Sequence, residues 1–161
     1  NQSGDPTGNA RGDLTAELDL SGEGLLGYFT SWSVSTAVQG RFSNATRYLV
    51  AAGEFEPDPE SRLTTRLSGF LETSPVRELS LGVRGSAGNE LYLSRPSRDA
   101  DGSAREAALT ITTMEATTYA DYNPWGDLFL VASLSGGATL ANDPAYPGWY
   151  TQARLGLEYS F

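Results

Sequence analysis

The feature that most restricts the fold is a period-two alternation of apolar and polar residues that recurs along most of the chain. In LTAELDLS (14–21), Leu14, Ala16, Leu18 and Leu20 fall on one side and Thr15, Glu17, Asp19 and Ser21 on the other. RLTTRLSGFLE (62–72) sets Leu63, Leu67 and Leu71 against Arg62, Thr64, Arg66 and Ser68. VRELSLGVRG (76–85) sets Leu79, Leu81 and Val83 against Glu78, Ser80, Gly82 and Arg84. Successive side chains of a strand point to opposite faces, so the pattern describes strands with two different surroundings.

Turn-forming residues separate these runs. The stretches 22–24, 57–61, 73–75, 86–89, 95–103, 123–126 and 141–149 hold nearly all the prolines and many of the glycines, and a Ser-Asn-Ala connection lies at 43–45. Nine extended segments remain, at 14–21, 25–42, 46–56, 62–72, 76–85, 89–95, 104–120, 127–140 and 149–161. A helix competes in AREAALTITTMEATTYAD, but its β-branched middle favours strand. Residues 1–13, rich in Gly, Asn and Asp, read as a flexible leader, and 14–161 as one all-β domain. Segments of this length suit a tall barrel better than a compact sandwich.

Composition removes several classes of function. With a formal charge of −9, the chain lacks the cationic surface that nucleic-acid phosphates demand. It has no cysteine for a disulfide or thiolate site and no histidine, which is the commonest metal ligand and general base. All 11 basic residues are arginine, so a Ser–Lys catalytic pair is excluded too. No apolar run is long enough for a membrane-spanning helix. Asn1 opens the chain and Met114 is its one methionine, which leads to the expectation that a signal peptide has been removed or that the chain is part of something longer.

The last segment, RLGLEYSF (154–161), carries the most specific motif. Alternation there places Ala153, Leu155, Leu157, Tyr159 and Phe161 on one face, and Gln152, Arg154, Gly156 and Glu158 on the other. Arg154, Gly156, Tyr159 and Phe161 occupy the four defined positions of polar-any-Gly-any-any-aromatic-any-aromatic. The chain therefore resembles the bacterial outer-membrane β-barrel proteins, whose assembly machinery reads such a C-terminal signal. The resemblance implies an antiparallel transmembrane β-barrel located in the outer membrane. Its partners would be the outer-membrane lipid and lipopolysaccharide around it and the barrel-assembly machinery during biogenesis. Because single-chain bacterial barrels have even strand numbers, eight strands are expected, with one of the nine segments merging or lying off the barrel; ten is the second choice. A soluble β-sandwich or jelly roll binding carbohydrate or protein is the alternative outside the family.

In a barrel of about eight strands the polar residues turn inward and fill the lumen. The expected lumen network is Glu17, Asp19, Arg62, Arg66, Glu78, Arg84, Gln152, Arg154 and Glu158, paired across the interior because an unpaired buried charge is costly. A plugged barrel with a structural, adhesive or receptor-like role is the favoured reading, and a small-solute channel the second. The lipid-modifying, phospholipase and protease barrels depend on histidine, so the chain is not expected to be an enzyme of those kinds. No cofactor is expected, and two-carboxylate glycosidase chemistry has no support in the spacing.

The remaining motifs are weak. Asp99, Asp101 and Glu106 follow one another as calcium ligands do, but Glu106 stands too close to Gly102 for the helix-flanked calcium loop, and a solvated turn is expected. RGD (11–13) and the NAT sequon (44–46) are three-residue matches without context. Trp32, Trp125, Trp149, Tyr28, Tyr122, Tyr146 and Tyr150 fall near strand ends, where the aromatic girdles of membrane barrels sit. A carbohydrate-stacking platform in AYPGWY (145–150) is the alternative.

Overall fold

The computed structural model describes residues 12–43, 46–49, 54–57 and 61–159. They are all-β, with nine strands and no helix among the described residues: β1 (Asp13–Leu25), β2 (Thr30–Ser43), β3 (Thr46–Leu49), β4 (Glu54–Pro57), β5 (Arg62–Val76), β6 (Leu79–Arg98), β7 (Ala104–Tyr122), β8 (Leu128–Ala141) and β9 (Gly148–Tyr159). Seven form one antiparallel sheet in the order β1-β2-β5-β6-β7-β8-β9, while β3 and β4 pair only with each other. The sheet is a simple meander. Consecutive strands can pair this way because each connection needs only to reverse the chain.

This corrects the expected count in two places. Segments 76–85 and 89–95 fuse into β6, since Ser86–Asn89 pairs continuously with Thr65–Ser68 on one side and Thr112–Glu115 on the other. In the 46–56 segment, Thr46–Leu49 pairs with Glu54–Pro57 and neither strand joins the main sheet. Nine segments therefore give seven strands in the main sheet, neither eight nor ten, and β1 and β9 do not pair, so the sheet is not closed into a barrel. Nor do the described residues form the two facing sheets of a sandwich.

Boundaries shift for local reasons. The turn expected at 73–75 sits instead at Arg77–Glu78, after an irregularity between Thr73 and Val76. Glu78 therefore lies in a hairpin turn and not in a strand wall. Pro96, which cannot donate to the ladder, is absorbed between two register shifts, and β6 runs on to Arg98. Asp13, placed in the leader by composition, already pairs with Ser43. Positions 1–11, the first residue of RGD among them, lie outside the described residues, as do Asn44 and Ala45 of the sequon and the terminal Phe161.

The two ends of the sheet differ. At one end the connections are short: Leu26–Phe29, closed by Leu26 N–H donating to Thr30 O at 2.7 Å; Arg77–Glu78; and Asn123–Asp127, whose Asn123 N–H donates to Glu78 O at 2.7 Å. The opposite end carries the connections 99–103 and 142–147. There Asn142 extends the pairing of β8 with β7, accepting from Thr110 N–H at 2.9 Å and donating to Ala108 O at 2.8 Å. Both β1 and β9 run from this long-loop end toward the short-turn end.

Candidate functional site

Cross-strand register sorts every strand residue onto one of two faces. On the first, level rows run across all seven strands, such as Gly24, Trp32, Leu71, Val83, Thr118, Leu134 and Ala153. Leu14, Leu18, Leu20, Val34, Val38, Leu63, Leu67, Leu81, Met114, Leu130, Leu140, Leu155 and Leu157 share this face, and all are exposed. Leu155 is 86% accessible. The buried hydrophobic core among the described residues consists of Leu109 alone. A soluble domain of this length hides its large apolar side chains; this sheet displays them on a single face.

Aromatic residues mark the limits of that face. Trp32 and Phe42 on β2, and Trp149 and Tyr159 on β9, are each ten residues apart and share the face, a separation of about 33 Å along the strand. The two pairs are staggered. Trp32 stands level with Ala153, six residues short of Tyr159. Five steps between strands, ~4.8 Å each, thus accompany a drift of about 20 Å. Lines drawn through the aromatic limits cross the strand-perpendicular rows at about 40°.

The second face carries the residues expected in a lumen. Glu17, Asp19, Arg62, Arg66, Arg84, Gln152, Arg154 and Glu158 all lie on it, whereas Glu78 is in the turn. A level row of Ser21, Ser35, Ser68 and Ser86 leads to Glu115, with Ser35 and Ser68 hydroxyls 2.6 Å apart. Ion pairs are local: Arg41 with Asp13 (3.6 Å), Arg62 with Glu90 (3.7 Å) and Arg154 with Glu158 (3.9 Å). Gln39 donates to Glu17 at 3.1 Å. The Arg84 guanidinium lies 5.5 Å from the Phe70 ring centre, a favourable placement over an electron-rich face.

Two tyrosines organise this face in a way the sequence did not announce. Tyr119 lies flat over Gly82 on the neighbouring strand and donates its hydroxyl to Glu72, one strand further on. Tyr150 covers Gly137 and donates to Glu115 at 3.2 Å. A Cβ at Gly82 would stand 2.2 Å from the Tyr119 ring, and one at Gly137 2.5 Å from Tyr150. Both glycines leave space for a ring that bridges three strands.

This placement corrects two expectations about aromatics. Tyr150 belongs to the polar face, and Tyr146 is engaged by Arg95 in the 142–147 loop; neither joins an apolar girdle. Trp149 and Tyr150 point to opposite faces because they are adjacent in one strand, so AYPGWY presents no single stacking platform. Trp149, 82% accessible, remains on the apolar face.

The acidic loop is a self-contained turn. Asp101 accepts from Ser103 N–H at 2.9 Å and from its hydroxyl at 2.7 Å, while Asp99 is held by Arg105, whose Nε donates at 2.6 Å. Glu106 lies beyond, exposed at the start of β7, and no group of three acidic residues could hold a metal ion among the described residues. The Arg105 guanidinium lowers the carboxyl pKa of Asp99, and the Ser103 bonds lower that of Asp101. A carboxylate with a depressed folded pKa stabilises the fold above its ordinary value, here 3.8, and loses that contribution as pH falls through the lowered one. Protection of the 99–103 amides relative to their intrinsic exchange rates should therefore fall on acidification below pH ~3.8, before that of the sheet amides; equal protection of the loop at low and neutral pH would contradict this assignment.

Comparisons with protein-family models, with curated proteins and with solved structures found no match to this chain.

Proposed function

We propose that this chain forms the wall of a β-barrel in a bacterial outer membrane, with its apolar face against lipid and its polar face turned to the lumen. The observation that carries this reading is the continuous exposed apolar face spanning seven strands, opposite a face of serines, acids and arginines. Outer-membrane barrels alternate apolar-out and polar-in, flank an apolar band about 25 Å tall with aromatics, and tilt their strands by about 35–45°. The aromatic limits fit both dimensions: about 33 Å along a strand, inclined by about 40°, projects to about 25 Å. Strands of 12 to 20 residues exceed the ~9–11 needed to cross. The terminal motif through Arg154, Gly156 and Tyr159 agrees with insertion by the barrel-assembly machinery. In lipid both free edges require a partner strand, because unpaired backbone groups there cost several kcal/mol each.

For the lumen, the tyrosine bridges and close ion pairs favour an interior filled by side chains over an open pore, and so a structural, adhesive or receptor-like role over solute transport. The test has two stages. Detergent-folded protein should migrate differently in SDS gels before and after boiling, and the folded form should give no stable conductance steps in a planar bilayer. Identical migration with good solubility without detergent would overturn the membrane reading, and reproducible steps would replace the filled lumen with a channel.

A further inference from the structure

The 99–103 and 142–147 loops border an open cavity of about 560 Å³ at the long-loop end of the sheet, lined by Arg95, Arg98, Asp99, Asp143 and Tyr146 among others. This volume falls in the range of small-ligand sites. We infer that the cavity is a binding site for a phosphate group, recognised by Arg98 and Arg95.

The acids and the arginines around the cavity are engaged differently. Both lining acids already have partners. Asp99 is held by Arg105, and the Asp143 carboxylate, almost fully buried, accepts from Arg98 N–H at 3.2 Å and Ala145 N–H at 2.9 Å. Those bonds shape the loops and give each Asp143 oxygen a backbone donor, without a cation to cancel the carboxylate's charge among the described residues. The arginines are balanced differently. Arg95 is braced between two aromatic rings, 5.8 Å from the Tyr92 centre and 5.7 Å from that of Tyr146, and donates to the Tyr146 hydroxyl. Neither contact neutralises its charge. The Arg98 guanidinium is exposed and has no ion pair or hydrogen bond with any described residue.

Around one cavity the chain thus gathers two guanidinium groups that make no ion pair with a described residue, one of them held by stacking, against a single carboxylate, Asp143, in the same condition. Arginine's planar fork matches phosphate oxygens in pairs, and pre-organisation lowers the entropy lost on binding. Tyr92, on which Arg95 stacks, stands on the same face as Arg62 and Glu90, so this side of the cavity adjoins the polar face. A soluble phosphate-bearing molecule therefore reaches it more directly than a lipid headgroup does.

The experiment compares folded wild type with Arg98→Gln, Arg98→Lys and the control Arg77→Gln, which removes an equal charge at the opposite end. Equilibrium dialysis against inorganic phosphate and pyrophosphate is one arm. Titration of micelles with short-chain phosphatidylglycerol, against phosphatidylcholine, read by native mass spectrometry, is the other. Saturable binding is expected, weakened about tenfold or more by Arg98→Gln, less by Arg98→Lys, and unchanged by Arg77→Gln. Binding in the first arm identifies a soluble phosphate ligand, and binding in the second alone identifies a headgroup. Absence of saturable binding in both arms, or equal loss in the Arg77→Gln control, overturns the site. The gel-shift result is independent of this outcome, so failure of the membrane reading and failure of the phosphate site are separately visible.

Discussion

Leu134→Arg is expected to abolish or severely reduce recovery of SDS-resistant folded protein from lipid vesicles, at a cost of about 2–4 kcal/mol. Leu134 sits in the middle of β8 on the apolar face and is 53% accessible. That accessibility makes the substitution decisive. If water covers this face, an arginine at a half-exposed position without special contacts changes stability by less than about 0.5 kcal/mol. If hydrocarbon covers it, the charge must be carried near the centre of the bilayer. Leu157→Arg, nearer the short-turn end, should cost less, because the penalty falls toward the interface. Denaturant midpoints in vesicles measure both. Equal, small effects at the two positions would mean that this face meets water.

The second large effect is expected at Gly82. A methyl group there collides with the Tyr119 ring, so Gly82→Ala must push the ring aside and break its bond to Glu72. Overpacking costs about 1–3 kcal/mol, and a hydrogen bond to a charged group contributes about 1.5–3 kcal/mol. In a Tyr119→Ala background the same alanine meets no ring and should cost little. A double-mutant cycle on denaturant midpoints should therefore return a coupling above about 1 kcal/mol. Additive effects would show that the tyrosine does not depend on the glycine for its place.

Much of the sheet was legible because period-two patterning acts directly on it. Alternation put Leu79, Leu81 and Val83 on one side of their segment and Leu155 and Leu157 on one side of theirs, and the register places all five on one face of the sheet. Eight of the nine residues expected to share the polar face do so. Segmentation was less legible. Ser86–Asn89 has turn composition, yet small residues also fit a central strand whose partners supply the larger side chains, and local propensity could not separate these cases. Residues 46–56 read as one extended segment, but Thr46–Leu49 and Glu54–Pro57 are two strands paired antiparallel with each other. The tyrosine bridges and the Arg95–Tyr146 contact were invisible for a different reason. They join residues far apart in sequence, 51 positions in the latter case, and no periodicity encodes such meetings.

The shared direction of β1 and β9 has a consequence for self-association. Copies inserted into one membrane with the same orientation have all their edge strands pointing the same way. Any edge-to-edge contact between two such copies, whether β9 to β1 or β1 to β1, would be a parallel pairing, which is slightly less stable per residue than an antiparallel one. A strand running in the opposite sense meets both edges in antiparallel register. The sheet thus discriminates by polarity alone against its own copies and in favour of a different strand, without any side chain being assigned to that choice.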